Sequence, residues 1–178
     1  MGGALRPAGR AITAVAVLAL SVGCQDRVSG PSSSPSAAVE GRVVKGEGAL
    51  ADDWSDEPRL VPKHTPRSDL VGLWQAVLWA DGYLARSSVN CTYDTATVQA
   101  TRVWQSNHGL SADGIVGPVT YGFAGRRLVL LSPWTVYRGE VRDLPLRRGR
   151  KGAYEVDDTG HLRMLRLDRV TLTLCHAR

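Results

Sequence analysis

Trp104-Gln105-Ser106-Asn107-His108-Gly109-Leu110-Ser111-Ala112-Asp113-Gly114-Ile115-Val116-Gly117-Pro118-Val119-Thr120 decides how this 178-residue chain is read. Its first half ends a helix. Asn107 or His108 closes it, and Gly109 supplies the reversal because glycine enters left-handed backbone without a side-chain penalty. Its second half turns tightly through Asp113-Gly114 and starts another helix at Gly117-Pro118, where proline's missing N–H removes no hydrogen bond. No nucleophile or metal-ligand set is strung along it. The stretch therefore points to a small folded module whose job is to hold something.

Working outward, the same grammar appears upstream. Ser68 precedes an apolar stripe at Leu70, Val71, Trp74, Val77 and Leu78, which predicts a helix that closes near Asp81-Gly82. A second helix starts at Asp94 or Thr95 and runs through Val98, Val103 and Trp104. Asn90-Cys91-Thr92-Tyr93-Asp94-Thr95-Ala96-Thr97 has the shape of Asp113 to Thr120, and Gly82-Tyr83 mirrors Gly109-Leu110. Each copy is a helix end, a turn with an apolar plug, and a new helix with an early threonine. Thr97 and Thr120 are read as ties to first-turn backbone, not as nucleophiles.

The ordered set Trp74-Gln75, Gly82-Tyr83, Tyr93-Asp94-x-x-Thr97, Trp104-Gln105, Gly109-Leu110 and Asp113-Gly114-Ile115-Val116-Gly117-Pro118-x-Thr120 resembles the peptidoglycan-binding domain found beside many bacterial wall hydrolases. The resemblance covers residues 68–125. It implies a compact three-helix bundle with a shallow groove for glycan and stem peptide. The first turn departs from the family's Asp-Gly-x-Phe-Gly pattern, reading Asn90-Cys91-Thr92-Tyr93-Asp94, and the two lost glycines predict a remodelled turn. Trp74, Trp104 and Leu110 are assigned to the core, Asp113 to its own turn, and Tyr93 to the plug. A sugar groove needs aromatic faces, amide or hydroxyl donors and a cation for peptide carboxylates. Tyr83, Arg86, Asn107, His108 and Tyr121 are the candidates; Trp79 either stacks on sugar or packs against the tail.

At the other end, Arg6 and Arg10 precede an apolar run from Ala11 to Val22, with Cys24 just beyond. A basic start and a short hydrophobic stretch read as an export signal. The run is too short for a comfortable bilayer span. Cys24 resembles the acceptor of a bacterial lipoprotein signal, which makes 1–23 the signal and Cys24 the lipidated first residue; the alternative is an ordinary secretory signal and a free cysteine. Residues 24–67 begin with a Ser/Pro-rich segment and continue acidic and poor in bulky apolar residues, so they read as a flexible tether. Trp54 within it is a local anchor or simply exposed. With Cys24 lipidated, Cys91 and Cys175 remain as a disulfide pair in an oxidising compartment, or as two isolated buried thiols.

Charge divides unevenly. Residues 24–125 carry eight basic and eleven acidic side chains, and residues 126–178 carry twelve and six. The basic extension, 126–178, is β-rich: two short runs flank Asp157-Asp158-Thr159-Gly160 and predict a hairpin. Val170-Thr171-Leu172-Thr173-Leu174 alternates cleanly enough to predict a strand burying Val170, Leu172 and Leu174 on one face. Too small for an independent core, the extension should pack on the helices. Arg147-Arg148-Gly149-Arg150-Lys151-Gly152 is either a solvated turn or a contact for anionic wall polymer or lipid headgroups. Nucleic acid is set aside by the export signal.

The fold class is thus α+β, a small three-helix peptidoglycan-binding-like bundle with a short β-rich C-terminal extension. His64, His108, His161 and His176 form no recognisable zinc set, there is no phosphate loop, and Cys175-His176 lacks an orienting third group, so no catalytic residue, metal or cofactor is expected. The reading is non-catalytic peptidoglycan binding by a lipid-anchored envelope protein. The runner-up is a regulatory or protein-interaction lipoprotein without wall affinity, and a wall hydrolase is third.

Overall fold

The computed structural model describes residues 42–176. Three helices form first in the chain: α1 at Asp69–Ala80, α2 at Thr95–Asn107 and α3 at Pro118–Gly125. Local chemistry sets their ends. Ser68 accepts the Val71 N–H at the start of α1, Asp94 accepts the Thr97 N–H at 2.9 Å at the start of α2, and a proline opens α3. Gly82 and Gly109 follow α1 and α2 at φ 85° and 68°, the reversal that glycine makes easy.

Five antiparallel strands follow in sequence order as a meander: β1 at Leu128–Leu131, β2 at Trp134–Arg138, β3 at Asp143–Arg148, β4 at Tyr154–Asp158 and β5 at His161–Met164. The register pairs Leu131 with Trp134, Thr135 with Leu146, Arg147 with Glu155, and Asp158 with His161. A three-helix bundle carrying a sheet extension is the α+β fold that the sequence predicts. The β4–β5 turn lies where Asp157-Asp158-Thr159-Gly160 placed it, with Thr159 and Gly160 both left-handed.

α1 is the centre of the molecule. Leu70, Val71, Leu73, Trp74, Val77, Leu78 and Ala80 are all buried, so its apolar face runs nearly all the way round. A helix that is hydrophobic on every side needs cover on every side. The other helices supply one half of that cover, with Trp74 edge-on to Trp104 and to Tyr121. The extension supplies the other half, held by the carboxylates at the two ends of α1. Asp69 accepts the N–H groups of Arg166 and Thr171 at 3.0 and 2.8 Å. Asp81 accepts Trp104 Nε1 at 2.6 Å, the Tyr137 hydroxyl at 2.7 Å and the Glu140 N–H at 2.8 Å.

Two sequence expectations are corrected here. Residues 42–67 are not a flexible tether: they form an ordered arm. Its Val44 N–H donates to the Leu165 carbonyl at 2.9 Å, and its Val44 carbonyl accepts the Tyr154 N–H at 2.8 Å. Leu60 and Val116 exchange both backbone bonds, at 2.9 and 3.1 Å. Trp54 is buried, stacked on Tyr137 and edge-on to Tyr154. The arm is stabilised by distant partners rather than by its own composition. Residues 170–174 are not a strand, and the last described element is instead a 3-10 turn at Thr173–Cys175. The N–H groups that a ladder would use are taken by carboxylates, Thr171 by Asp69 and Thr173 by Asp158. Leu172 is buried, while Val170 and Leu174 are half-buried against the same core. The proposed signal at 1–23, the Cys24 acceptor and residues 24–41 lie outside the described residues.

Candidate functional site

The two repeated turns are built by the glutamines of the Trp-Gln pairs. Gln75, fully buried on α1, accepts the N–H groups of Asn90 and Cys91 at 3.0 and 2.8 Å. Its amide donates to the Thr92 carbonyl at 2.9 Å and to Thr97 Oγ1 at 2.8 Å. Gln105 on α2 repeats this at the second turn. It accepts the Gly114 N–H at 2.9 Å and donates to the Ile115 carbonyl at 2.9 Å and to Thr120 Oγ1 at 3.1 Å. Each glutamine replaces the hydrogen bonds that a buried turn would otherwise lack. Thr97 and Thr120 sit in the first turns of α2 and α3 as partners of these amides. They are ties, but to the clamp amides and to the Thr92 and Ile115 carbonyls ahead of the helices rather than to the first-turn backbone that the sequence suggests.

The predicted remodelling of the first turn does not occur. Asn90 Oδ1 accepts the Thr92 N–H at 2.9 Å, and Asp113 Oδ1 accepts the Ile115 N–H at 2.8 Å, so the same side-chain turn forms twice. Cys91 takes φ 61° beside the 73° of Gly114, a left-handed conformation that costs about 1 kcal/mol or more for a residue with a Cβ. Two restraints hold it there: the Gln75 carbonyl on its N–H, and the disulfide to Cys175, whose Cα lies 5.6 Å away. Gly72 on α1 gives the sulfurs room, since a Cβ there would stand 2.5 Å from Cys91 Sγ. The disulfide also removes Cys175 from any nucleophile role. The other lost glycine is at Asp94, where the backbone is extended in both copies (φ −82° at Asp94 and −133° at Gly117), so no glycine is required. Asp94 instead caps α2.

Tyr93 and Trp104 are buried, as expected. The Tyr93 hydroxyl donates to the Gly114 carbonyl at 2.8 Å, so the plug of the first turn is bonded to the second. Burial pushes the Tyr93 phenol up to about 12.

Of the five ligand candidates, three come together. Asn107 Nδ2 donates to the Tyr83 hydroxyl at 3.0 Å, and His108 tilts against the Tyr83 ring. Glu140, from the β2–β3 connection, covers this cluster, with its carboxylate 2.8 Å from His108 Nε2 and 3.5 Å from the Tyr83 hydroxyl. Sequence reasoning missed Glu140 because nothing local ties it to the helices. Arg86 lies elsewhere: its guanidinium stacks over Trp79 at 4.8 Å, and Arg142 approaches the same ring at 5.2 Å. Both Arg86 and Trp79 line a largely apolar cavity of about 570 Å³ between α1 and the sheet. Trp79 therefore packs against the tail.

Tyr121 is a correction. It is 1% exposed, packed on Trp74 inside the bundle, and cannot meet a ligand at the surface. It belongs to the inward stripe of α3, whose eight residues were too few to orient from sequence.

An open groove of about 370 Å³ runs beside the second turn, lined by Arg59, Leu110, Ser111, Asp113, Ile115 and the start of α3. Arg59 comes from the ordered arm, whose composition predicts a tether, so nothing local in the sequence assigns it to the groove. It is exposed and next to Gly117, where a Cβ would lie 3.4 Å from its Nε. Among the described residues, no carboxylate pairs with it. Apolar floor, hydroxyl and cation thus meet in one concavity. No group of three or more histidine, cysteine, aspartate or glutamate side chains among the described residues could hold a metal ion. No helix among them is long and apolar enough to cross a membrane.

The family model "Putative peptidoglycan binding domain" matches residues 67–123. Those residues form a three-helix module of that type, a class of non-catalytic binding modules. No curated protein and no solved structure matches the chain.

Proposed function

We propose that the chain binds bacterial peptidoglycan without covalent chemistry at the cell envelope, and that it is held there by a lipid on Cys24. The observation that carries this reading is the paired turns. Both keep their glutamine clamp, including the one whose glycines are gone, within the stretch that matches the family. The second-turn groove is the contact for glycan and stem peptide. Arg59 meets a peptide carboxylate, Ile115 and Leu110 face the apolar parts, and Ser111 supplies a polar rim group. The mechanism is localisation, since one end at the membrane and the other on glycan raises the effective concentration of both.

Co-sedimentation of the signal-free chain with purified sacculi tests it. The protein should pellet with sacculi, and Arg59→Ala should weaken retention about tenfold, the loss expected for one charge-assisted contact. A folded protein that stays in the supernatant would overturn the reading in favour of a protein-interaction lipoprotein. Release of sugar or peptide fragments during the incubation would make it a hydrolase.

A further inference from the structure

The β1–β2 hairpin breaks the pattern of its own strands. Lower down, Leu128, Thr135, Val136 and Tyr137 are buried. At the tip, Leu130, Leu131, Ser132, Pro133 and Trp134 are exposed in succession, with Leu130 at 66% and Leu131 at 50%. Neighbouring residues of a strand point to opposite faces. Exposure of both leucines therefore means that both faces of the hairpin end reach solvent, while Trp134 at its base also lines the cavity between α1 and the sheet. Four of its five residues are apolar, and Leu131 pairs directly with Trp134. Contiguous exposed apolar surface of this kind marks an interaction site.

The surroundings identify the partner. Register sets Thr135 against Leu146, which brings the tip beside the end of β3, where Arg147-Arg148-Gly149-Arg150-Lys151 begins. Leu130 and Pro133 share a cleft of about 560 Å³ with Arg148, Arg150 and Lys151 and with one carboxylate, Glu47, on the arm. Arg148 is held by Asp53 at 2.9 Å, so Arg150 and Lys151 are the cations that face outward. Arg147, Arg150 and Lys151 are exposed, and no carboxylate among the described residues pairs with Arg150. A projecting Leu-Leu-Pro-Trp tip beside a basic turn fits the boundary layer of a bilayer. The apolar tip enters the acyl boundary, Trp134 sits at headgroup depth, and the cations stay with anionic phosphates. A soluble anionic polymer would use the cations but leave the leucines idle.

We infer that the β1–β2 hairpin tip and the 147–151 turn form a docking surface for an anionic lipid bilayer. This rests on the envelope location proposed above but not on recognition of sugar. The membrane is then touched by the extension while the second-turn groove binds the wall.

The test uses the signal-free chain with Cys24→Ser, so that no lipid contributes, and vesicles of phosphatidylglycerol mixed with phosphatidylcholine against phosphatidylcholine alone. Partition should favour the anionic vesicles and fall about tenfold in Leu131→Asp and again in Arg150→Glu/Lys151→Glu, consistent with loss of one of two weak anchoring signals. Leu131→Ser should fall less, and unchanged near-ultraviolet circular dichroism establishes that all three variants are folded. Equal binding to both vesicle types, or Leu131→Asp within about twofold of the parent, overturns the inference, because either result removes one of the two signals. Binding to soluble polyphosphate without vesicle binding assigns the surface to a polymer instead. A concentration-dependent dimer abolished by Leu131→Asp, without vesicle binding, assigns it to a second copy pairing at edge strand β1. Sacculus retention, measured on the same variants, should be unchanged, which separates failure here from failure of the wall-binding reading.

Discussion

The turn at Asn90–Thr97 and the turn at Asp113–Thr120 share one backbone design but reach it by different means. The second uses Gly114 where the chain must go left-handed, and its outer support is the arm, through Leu60 and Val116. The first places a cysteine there, and its outer support is the chain's far end. Cys175 is bonded to Cys91, while Arg67 donates to the carbonyls of both Asn90 and Cys175 at 3.1 Å. The first turn is braced covalently and enclosed; the second is braced by backbone pairing and left open on one side. The difference teaches that a lost glycine need not mean a lost turn when a crosslink and a buried amide hold the same conformation.

The clamp is the common element, so removing it should produce the largest effect. Gln75→Ala would strand the buried Cys91 N–H and the half-buried Asn90 N–H and is expected to cost about 3 kcal/mol by chemical denaturation. Gln105→Ala strands one and should cost about 2 kcal/mol. Equal, small losses would break the comparison. Next comes the crosslink. Cys175→Ser should lose about 2–4 kcal/mol, as expected for opening a long covalent loop. In that background Cys91→Gly should be more stable than Cys91→Ala by about 1 kcal/mol, because glycine is free of the left-handed penalty. Gly114→Ala is the mirror test. It should cost about 1–2 kcal/mol, since the new Cβ would keep φ 73° and stand 3.0 Å from Val98 Cγ1.

Smaller effects sharpen the picture at the second glycine. Asp94→Gly should lose only about 0.3 kcal/mol of cap energy at α2, and Gly117→Asp should gain a similar amount at α3, because glycine is itself a tolerated cap. Gly117→Asp should also weaken sacculus retention, because its carboxylate would pair with Arg59. Acidity separates the two braces. Burial pushes the Glu57 carboxyl up to about 7, against the Lys45 N–H that it accepts at 2.8 Å. Its folded pKa is above its unfolded value, so its contribution is fully present below about 4.5 and is lost as pH rises through about 7. Amide exchange measured from pH 5 to 8, corrected for intrinsic rates, should show protection at Leu60 and Val116 falling by roughly tenfold while Cys91 stays protected. Glu57→Gln should abolish the pH dependence.

Much of the helical module was legible because its signals are local: Ser68, Asp94 and Pro118 at helix starts, Gly82 and Gly109 at the ends. The repeated threonines and Trp-Gln pairs were legible for the same reason. What stayed hidden depends on partners far along the chain. The arm shows few apolar residues, yet Trp54 lies between two tyrosines of the sheet, and Arg59 reaches the groove only because Leu60 pairs with Val116. The alternation at Val170–Leu174 suggested a strand, but two carboxylates, Asp69 and Asp158, take the N–H groups that a strand would use. Of the ligand candidates, Tyr83, Asn107 and His108 meet because helix ends put them together. Tyr121 turned inward on a helix too short for its stripe to be read.

The most direct measurement compares equivalent positions of the two turns in sacculus binding. Thr92 and Ile115 occupy the same place, 23 residues apart in sequence, and each has its carbonyl held by a clamp glutamine. Ile115→Ala should weaken binding about fivefold, the loss of one apolar contact in the open groove, while Thr92→Ala should stay within about twofold. A loss at Thr92 with none at Ile115 would contradict the account, making the braced first turn the binding side and the open groove incidental.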